Sequence, residues 1–184
     1  MRTIGKGVTK VGKKGGVTNC SVWQRSILLL GLVLGSFATI DATRSLAQVS
    51  ADRAASQSMK FMALSESEKL LQNLQEGDSR AIIAKCAPQV DYYDKGKIST
   101  RVVRLEIDKY FNRWGDRHYS KVETTLLGSD FDAGIYHVQL DFDWSVSDLK
   151  NNSRSGRSRV ELVWKGTTND NLSIVTWKEH RLQQ

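Results

Sequence analysis

Gly134-Ile135-Tyr136-His137-Val138-Gln139-Leu140-Asp141-Phe142-Asp143-Trp144-Ser145-Val146-Ser147 is the clearest periodic stretch of the chain. Tyr136, Val138, Leu140, Phe142, Trp144 and Val146 share one parity, and His137, Gln139, Asp141, Asp143 and Ser145 share the other. A period of two over this length predicts a strand with one apolar and one polar face. Such a strand belongs in an antiparallel sheet that packs one side on a core and wets the other.

The neighbours on either side repeat the pattern. Upstream, Val122, Thr124 and Leu126 alternate with Lys121, Glu123 and Thr125, in a strand that starts near Tyr119. Downstream, Asn151-Asn152-Ser153-Arg154-Ser155-Gly156 reads as a loop and 157–166 as the return strand. Asn169-Asp170-Asn171 turns the chain again into 172–182. The expectation is a four-strand antiparallel meander, with Arg154, Arg157 and Arg159 at a solvated hairpin tip. Periodicity does not say whether the face carrying Trp144, Trp164 and Trp177 meets the helices or a second copy of the chain, so a homodimer through the sheet stays open.

Before Tyr119 the spacing is helical. Ser65-Glu66-Ser67-Glu68 matches a capping box, with Leu70, Leu71 and Leu74 following and Gly77 as the stop. Asp78 caps a second short helix through Ile82, Ile83 and Cys86, which Pro88 ends. Val90-Asp91-Tyr92-Tyr93 alternates as a short strand, and Gly96 supplies a turn. Ser99 or Thr100 caps a third helix with Val103, Ile107, Tyr110, Phe111 and Trp114 as its stripe, ended by Gly115. Helices first and strands after predict an α+β fold, with N-terminal helices packed on one face of a strongly curved antiparallel sheet.

Composition narrows the classes. At 184 residues, 40% apolar and 26% charged, the chain has the make-up of one folded domain with an extension. Its formal net charge of +7 is concentrated at the N-terminus. Residues 1–47 hold seven basic side chains against Asp41, whereas the rest holds 20 against 19. A near-neutral domain lacks the electrostatic footprint of a nucleic-acid binder.

Residues 1–25 are basic and free of acid, and Ser26–Ile40 is uncharged. Ser45-Leu46-Ala47 then places small residues where a signal peptidase cuts. This order predicts a signal peptide over 1–47 cleaved after Ala47, a lead-in over 48–64 that is compatible with a helix, and a folded domain over 65–184. Export to a bacterial periplasm follows. The alternative is an uncleaved leader that anchors a periplasmic domain in the inner membrane, the only membrane contact expected. After cleavage Cys86 is the single cysteine, expected as a buried helical residue rather than a nucleophile. His118, His137 and His180 are isolated, so no metal site and no cofactor are expected.

Two blocks carry a resemblance. Ala87-Pro88-Gln89-Val90-Asp91-Tyr92-Tyr93-Asp94-Lys95-Gly96 and Asp108-Lys109-Tyr110-Phe111-Asn112-Arg113-Trp114-Gly115-Asp116-Arg117-His118-Tyr119 resemble recurrent stretches of bacterial nuclear-transport-factor-2-like domains. With the order of elements, the likeness covers roughly 65–182. Gly115 stands where proline is usual, while Trp114, Arg117 and Tyr119 keep the pattern. The resemblance implies a cone, a bent sheet wrapped around helices in a cystatin-like α-β(4) arrangement, with a pocket at the wide end. Such folds serve ketosteroid-isomerase-like enzymes, dehydratases, polyketide cyclases and non-enzymatic binding modules, so fold alone does not give function.

The candidate residues are few. Asp91 and Tyr93 share a parity and supply a base and a hydrogen-bond donor for isomerase-type chemistry. Alternatively, Asp91 pairs with Arg113 or Arg117 and Tyr93 packs in the core. His137 with Asp141 is a second pair, on the face read as solvated. Tyr93, Tyr110, Trp114 and Tyr119 are the candidate ligand-binding residues, though helix-stripe aromatics also make plain core. No nucleophile elbow or phosphate loop occurs. The reading is an exported, non-catalytic module that binds a small apolar ligand or a protein partner. The alternatives are an isomerase- or dehydratase-like enzyme with Asp91 as base, and a membrane-tethered assembly factor of a secretion system.

Overall fold

The computed structural model describes the backbone of residues 23–182 and the side chains of residues 48–182. It divides into two compact units, Met1–Val49 and Ser50–Gln184. Of the first unit, the described backbone belongs to the helix α1, Trp23–Glu76. The leader, its cleavage point after Ala47 and the anchor alternative fall on residues 1–47, outside the described side chains.

In the second unit the end of α1 buries Met59, Ala63, Ser67, Leu70 and Leu71, a stripe at helical spacing. Ser65–Glu68 therefore does not start a helix, because α1 runs straight through it. The middle of a helix already satisfies its own backbone, so the serine is not needed there as a cap. Ser67 Oγ instead donates to Ala63 O at 2.7 Å and accepts from Trp164 Nε1 at 2.8 Å. Gly77, at φ 80, ends α1, and the amides of Gly77 and Asp78 both donate to Asn73 O. Arg117 closes the exposed carbonyls, donating to Leu74 O at 2.9 Å and Gln75 O at 3.3 Å. A side chain at position 77 would collide with that guanidinium, since an added Cβ would lie 2.7 Å from Arg117 Nη2.

Asp78 caps α2 (Ser79–Ala84) by accepting from Ala81 N at 2.9 Å. A strand β1 follows over Cys86–Tyr92, so Cys86 and Pro88 belong to a strand and not to a helix and its stop. The missing N–H of Pro88 is tolerated because the register of β1 shifts between Cys86 and Asp91. After a one-turn 3-10 segment, Tyr93–Lys95, the chain forms β2 (Lys97–Ser99) and α3 (Thr100–Arg113). Val103 and Ile107 are the buried residues of α3.

Then come β3 (Asp116–Asp130), β4 (Ile135–Ser147), β5 (Ser153–Lys165) and β6 (Ser173–Leu182). These four form the expected antiparallel meander. The sheet nevertheless has six strands in the order β2-β1-β6-β5-β4-β3, and it is mixed, because β1 runs parallel to β6. It is curled and unclosed, with helix packed on its inner face. Trp164, Tyr136, Leu140, Leu162, Ile174, Val90 and Val103 are fully buried there with Ser67.

A further expectation changes in the meander. Arg154, Arg157 and Arg159 lie on β5 rather than at a hairpin tip. The turn is made instead by Asp148, which accepts from Lys150 N, Asn152 N and Asn152 Nδ2. Trp164 and Trp177 are buried in the core and Trp144 packs partly buried against it, so of the two options left open for this face it is the one that meets the helices.

Candidate functional site

A cavity of about 490 Å³ opens between the inner face of the sheet and α3. Ile107, Phe142, Val146, Val160 and Trp177 are its most buried lining residues. Tyr93 enters from the end of β1. It adopts φ 49, a left-handed conformation unusual for a bulky residue. Its hydroxyl donates to Glu179 Oε2 at 2.7 Å, while Ser158 Oγ donates to Glu179 Oε1 at 2.7 Å. Both oxygens of the Glu179 carboxylate thus have an internal donor.

Tyr110 of α3 and Tyr119 of β3 join their hydroxyls at 2.9 Å. Burial pushes the phenols of Tyr92, Tyr93, Tyr110 and Tyr119 above the ordinary tyrosine value, and the negative charge of Glu179 adds to the rise in each. They act as neutral hydroxyls across the physiological range. The rings interlock as well: Tyr92 meets Tyr93 at 4.5 Å and Trp177 edge-on at 5.5 Å, and Tyr119 meets Phe142 edge-on at 5.4 Å.

The exposed lining residues include three arginines. Arg113 and Arg154 lie 5.0 and 5.7 Å from the ring centre of Trp114, and Arg181 lies 5.5 Å from that of Trp144. The Trp144 ring has room because position 156, opposite it on β5, is glycine. A Cβ there would sit 3.0 Å from the indole.

No family model matches the chain, and no curated protein matches it. Solved structures do. A nuclear transport factor 2-like superfamily protein from Salmonella enterica serovar Typhimurium superposes with a TM-score of 0.59 at 9% identity, over 70% of this chain and 94% of that one. The chain has the nuclear-transport-factor-2-like fold. A candidate aromatic ring hydroxylase from Novosphingobium aromaticivorans matches at TM-score 0.54 and 9% identity, over 72% of this chain and 90% of that one. A candidate scytalone dehydratase from the same organism matches at 0.52 and 6%, over 69% and 89%. At such identities the likeness carries the fold and none of the chemistry.

Within this nuclear-transport-factor-2-like fold, Tyr93, Tyr110, Trp114 and Tyr119 all line this cavity. Asp91 does not. It points to the outer face of the sheet, where Lys178 Nζ lies 2.9 Å from its carboxylate. Neither arginine offered as its partner reaches it, since Arg117 is held by backbone carbonyls. Asp91 and Tyr93 do not converge because the chain leaves β1 after Tyr92 and the left-handed step turns Tyr93 inward.

His137 and Asp141 sit on the outer face too. Arg159 grips Asp141 through two hydrogen bonds of 2.8 and 3.0 Å and holds its carboxyl below the usual range. Cys86 donates to Ile82 O at 3.6 Å, and burial pushes its thiol up to about 12, so no thiolate is at hand. Among the described residues no group of three or more His, Cys, Asp or Glu is placed to hold a metal ion.

The sequence reading missed Glu179, Arg154, Arg181 and Trp144 as cavity residues and Ser158 as the donor behind Glu179. For β6 the signal was present. Trp177, Glu179 and Arg181 alternate, so burying Trp177 commits the other two to the same face.

Proposed function

We propose that the chain is a binding module whose cavity takes a small, planar, largely apolar ligand. One observation carries this: a 490 Å³ space walled by tyrosine, tryptophan and phenylalanine rings, whose Glu179 carboxylate already accepts hydrogen bonds on both oxygens. The volume suits a ligand of roughly drug size, and ligand pockets of about 300–1,000 Å³ are lined in this way. Offset or edge-on contact with the rings would contribute about 0.5–1.5 kcal/mol per pair beyond area burial.

Methyl 2-naphthoate is a suitable neutral probe, followed through tryptophan fluorescence of the full chain. The expected result is saturable quenching with a Kd on the order of 100 µM. Tyr110→Ala should weaken it about tenfold, the size of a lost aromatic contact. No saturation at the solubility limit of the probe overturns the reading.

A second reading has one specific observation in its favour. Glu179 and the neutral Tyr110–Tyr119 pair line one apolar cavity, a carboxylate beside hydroxyl donors as isomerase or dehydratase chemistry needs. In such an enzyme the base is Glu179 and not Asp91. Turnover of any enolisable ketone that is lost in Glu179→Gln and kept in Asp91→Asn would establish it.

The basic, apolar and small-residue order of 1–47 supports export to the periplasm, with a tethered assembly role as the alternative. Mass measurement of the protein recovered from its own cells decides between an N-terminus at Gln48 and a retained leader in the membrane fraction.

A further inference from the structure

The charges around the cavity are not distributed evenly. Lys95 and Glu106 neutralise each other at 2.9 Å, and Lys109 adds to Glu106 at 3.2 Å. Glu179 is held by two hydroxyls. Asp94 is exposed in the β1–β2 connection. Glu106 lies seven residues before Arg113 on α3, which is about 10 Å along a helix. The opposite end of the mouth, around Trp114 and Trp144, is different. Among the described residues, Arg113, Arg154 and Arg181 form no ion pair with any carboxylate. Asp148 feels the charge of Arg113, but its oxygens are taken by Lys150 N and Asn152.

Unpaired arginines are ordinary on a surface. These three are held over indole rings that themselves line the cavity. A guanidinium over an aromatic face keeps its N–H edge free for a planar anion. Two of them share the Trp114 ring without an ion pair to either, so like charges are gathered there, an arrangement that an anion would stabilise. The apolar rings lie further in.

Resting on the reading of the cavity as a binding site, we propose that its ligand is an aryl carboxylate. Its ring lies among the aromatic side chains, and its carboxylate lies at the mouth between Arg154, Arg113 and Arg181. A carboxylate matches the fork of a guanidinium in two parallel hydrogen bonds, which a neutral ester cannot do.

The test compares 2-naphthoate with methyl 2-naphthoate on the full chain, again by tryptophan fluorescence. The two share their ring system and differ in the charge of the head. The expected result is binding of 2-naphthoate at least about tenfold tighter at low salt. That preference should shrink at 0.5 M NaCl and fall to parity in the Arg154→Gln/Arg181→Gln variant, with folding checked by circular dichroism. Lys121→Gln removes the same charge from the outer face and should leave the preference intact. If both probes saturate with equal Kd, or the ester binds tighter, the anion site is wrong while the cavity reading stands. If the preference survives in the double variant and in Arg113→Gln, the anion binds elsewhere and the proposal fails. If neither probe saturates, the cavity reading falls and takes the proposal with it.

Discussion

The two faces of the sheet are made by the same strands and differ in how their charges are treated. On the outer face Asp141 stands opposite Arg159 and Asp143 opposite Arg157 in the β4–β5 register. Arg159 closes on Asp141 at 2.8 Å, Lys121 on Asp143 at 2.9 Å, and Lys178 on Asp91 at 2.9 Å. Asp141, Asp143 and Asp91 each have a cation there, so these three charges are matched within the face. On the inner face the Glu179 carboxylate is satisfied by neutral hydroxyls, while Arg154 and Arg181 of the sheet and Arg113 at the end of α3 have no carboxylate partner. Cross-strand ion pairs stabilise a solvated surface slightly. Cations over aromatic rings at a cavity mouth hold little of the fold together, and the proposed aryl carboxylate would give them a partner.

If that contrast is right, damage to the inner face should be the most costly to stability. Trp164→Ala removes a side chain with no exposure, together with its hydrogen bond to Ser67. Urea denaturation should show a loss of about 3–5 kcal/mol. A loss under 1 kcal/mol would mean that the helix end is not seated on the sheet as described.

Next in size is Ser67→Ala, which leaves the buried Trp164 N–H without a partner. Its expected cost is about 1–3 kcal/mol, although a smaller side chain usually suits a helix. A stabilised variant would show that the serine is there for another reason.

On the outer face the expected effect is smaller and depends on pH. Arg159 lowers the Asp141 carboxyl below 3.8, its unperturbed value. A folded pKa below the unfolded one stabilises the protein above the unfolded value. That contribution is lost as the pH falls through the lowered folded value. Arg159 is partly open to solvent, so Asp141→Asn should cost about 1 kcal/mol or less at pH 7. The gap between variant and parent should narrow as the pH falls below 3.8 and close once the lowered folded value is passed. A gap that widens in acid would contradict the sign.

Least of all should follow from Asp91→Asn, within about 0.5 kcal/mol and with unchanged naphthoate affinity. An affinity change of tenfold would bring the outer face into the site and break the comparison.

The alternation from Tyr136 to Val146 made both faces of β4 legible, and with them the meander and the fold class. The mixed sheet was not legible. The pairing of β1 with β6 joins residues more than 80 positions apart, for example Tyr92 with Trp177. Pro88 reads locally as a helix stop even though it lies in a strand whose ladder breaks around it. The cavity-lining aromatics were visible because Tyr110 and Trp114 follow the helical spacing of the α3 stripe. Asp91 looked paired with Tyr93 because alternation was carried one residue past the end of β1. A single left-handed residue is invisible to periodicity. Ser65–Glu68 shows a similar failure, since a four-residue capping signal takes its meaning from whether the helix has already begun.

The unclosed sheet has two free edges, and both are poor templates. One is β2, three residues long and led by Lys97. The other is β3, whose 15 residues would offer a long row of backbone donors and acceptors. Register shifts between Ser120 and Glu123 and between Leu126 and Gly128 interrupt that row, and Lys121 sits in the first of them at φ 50. A stray strand from a half-folded neighbour would find only a few residues in phase before the ladder breaks. In a crowded compartment that interruption guards the domain against aggregation from its edge, with no need to close the barrel and seal the cavity.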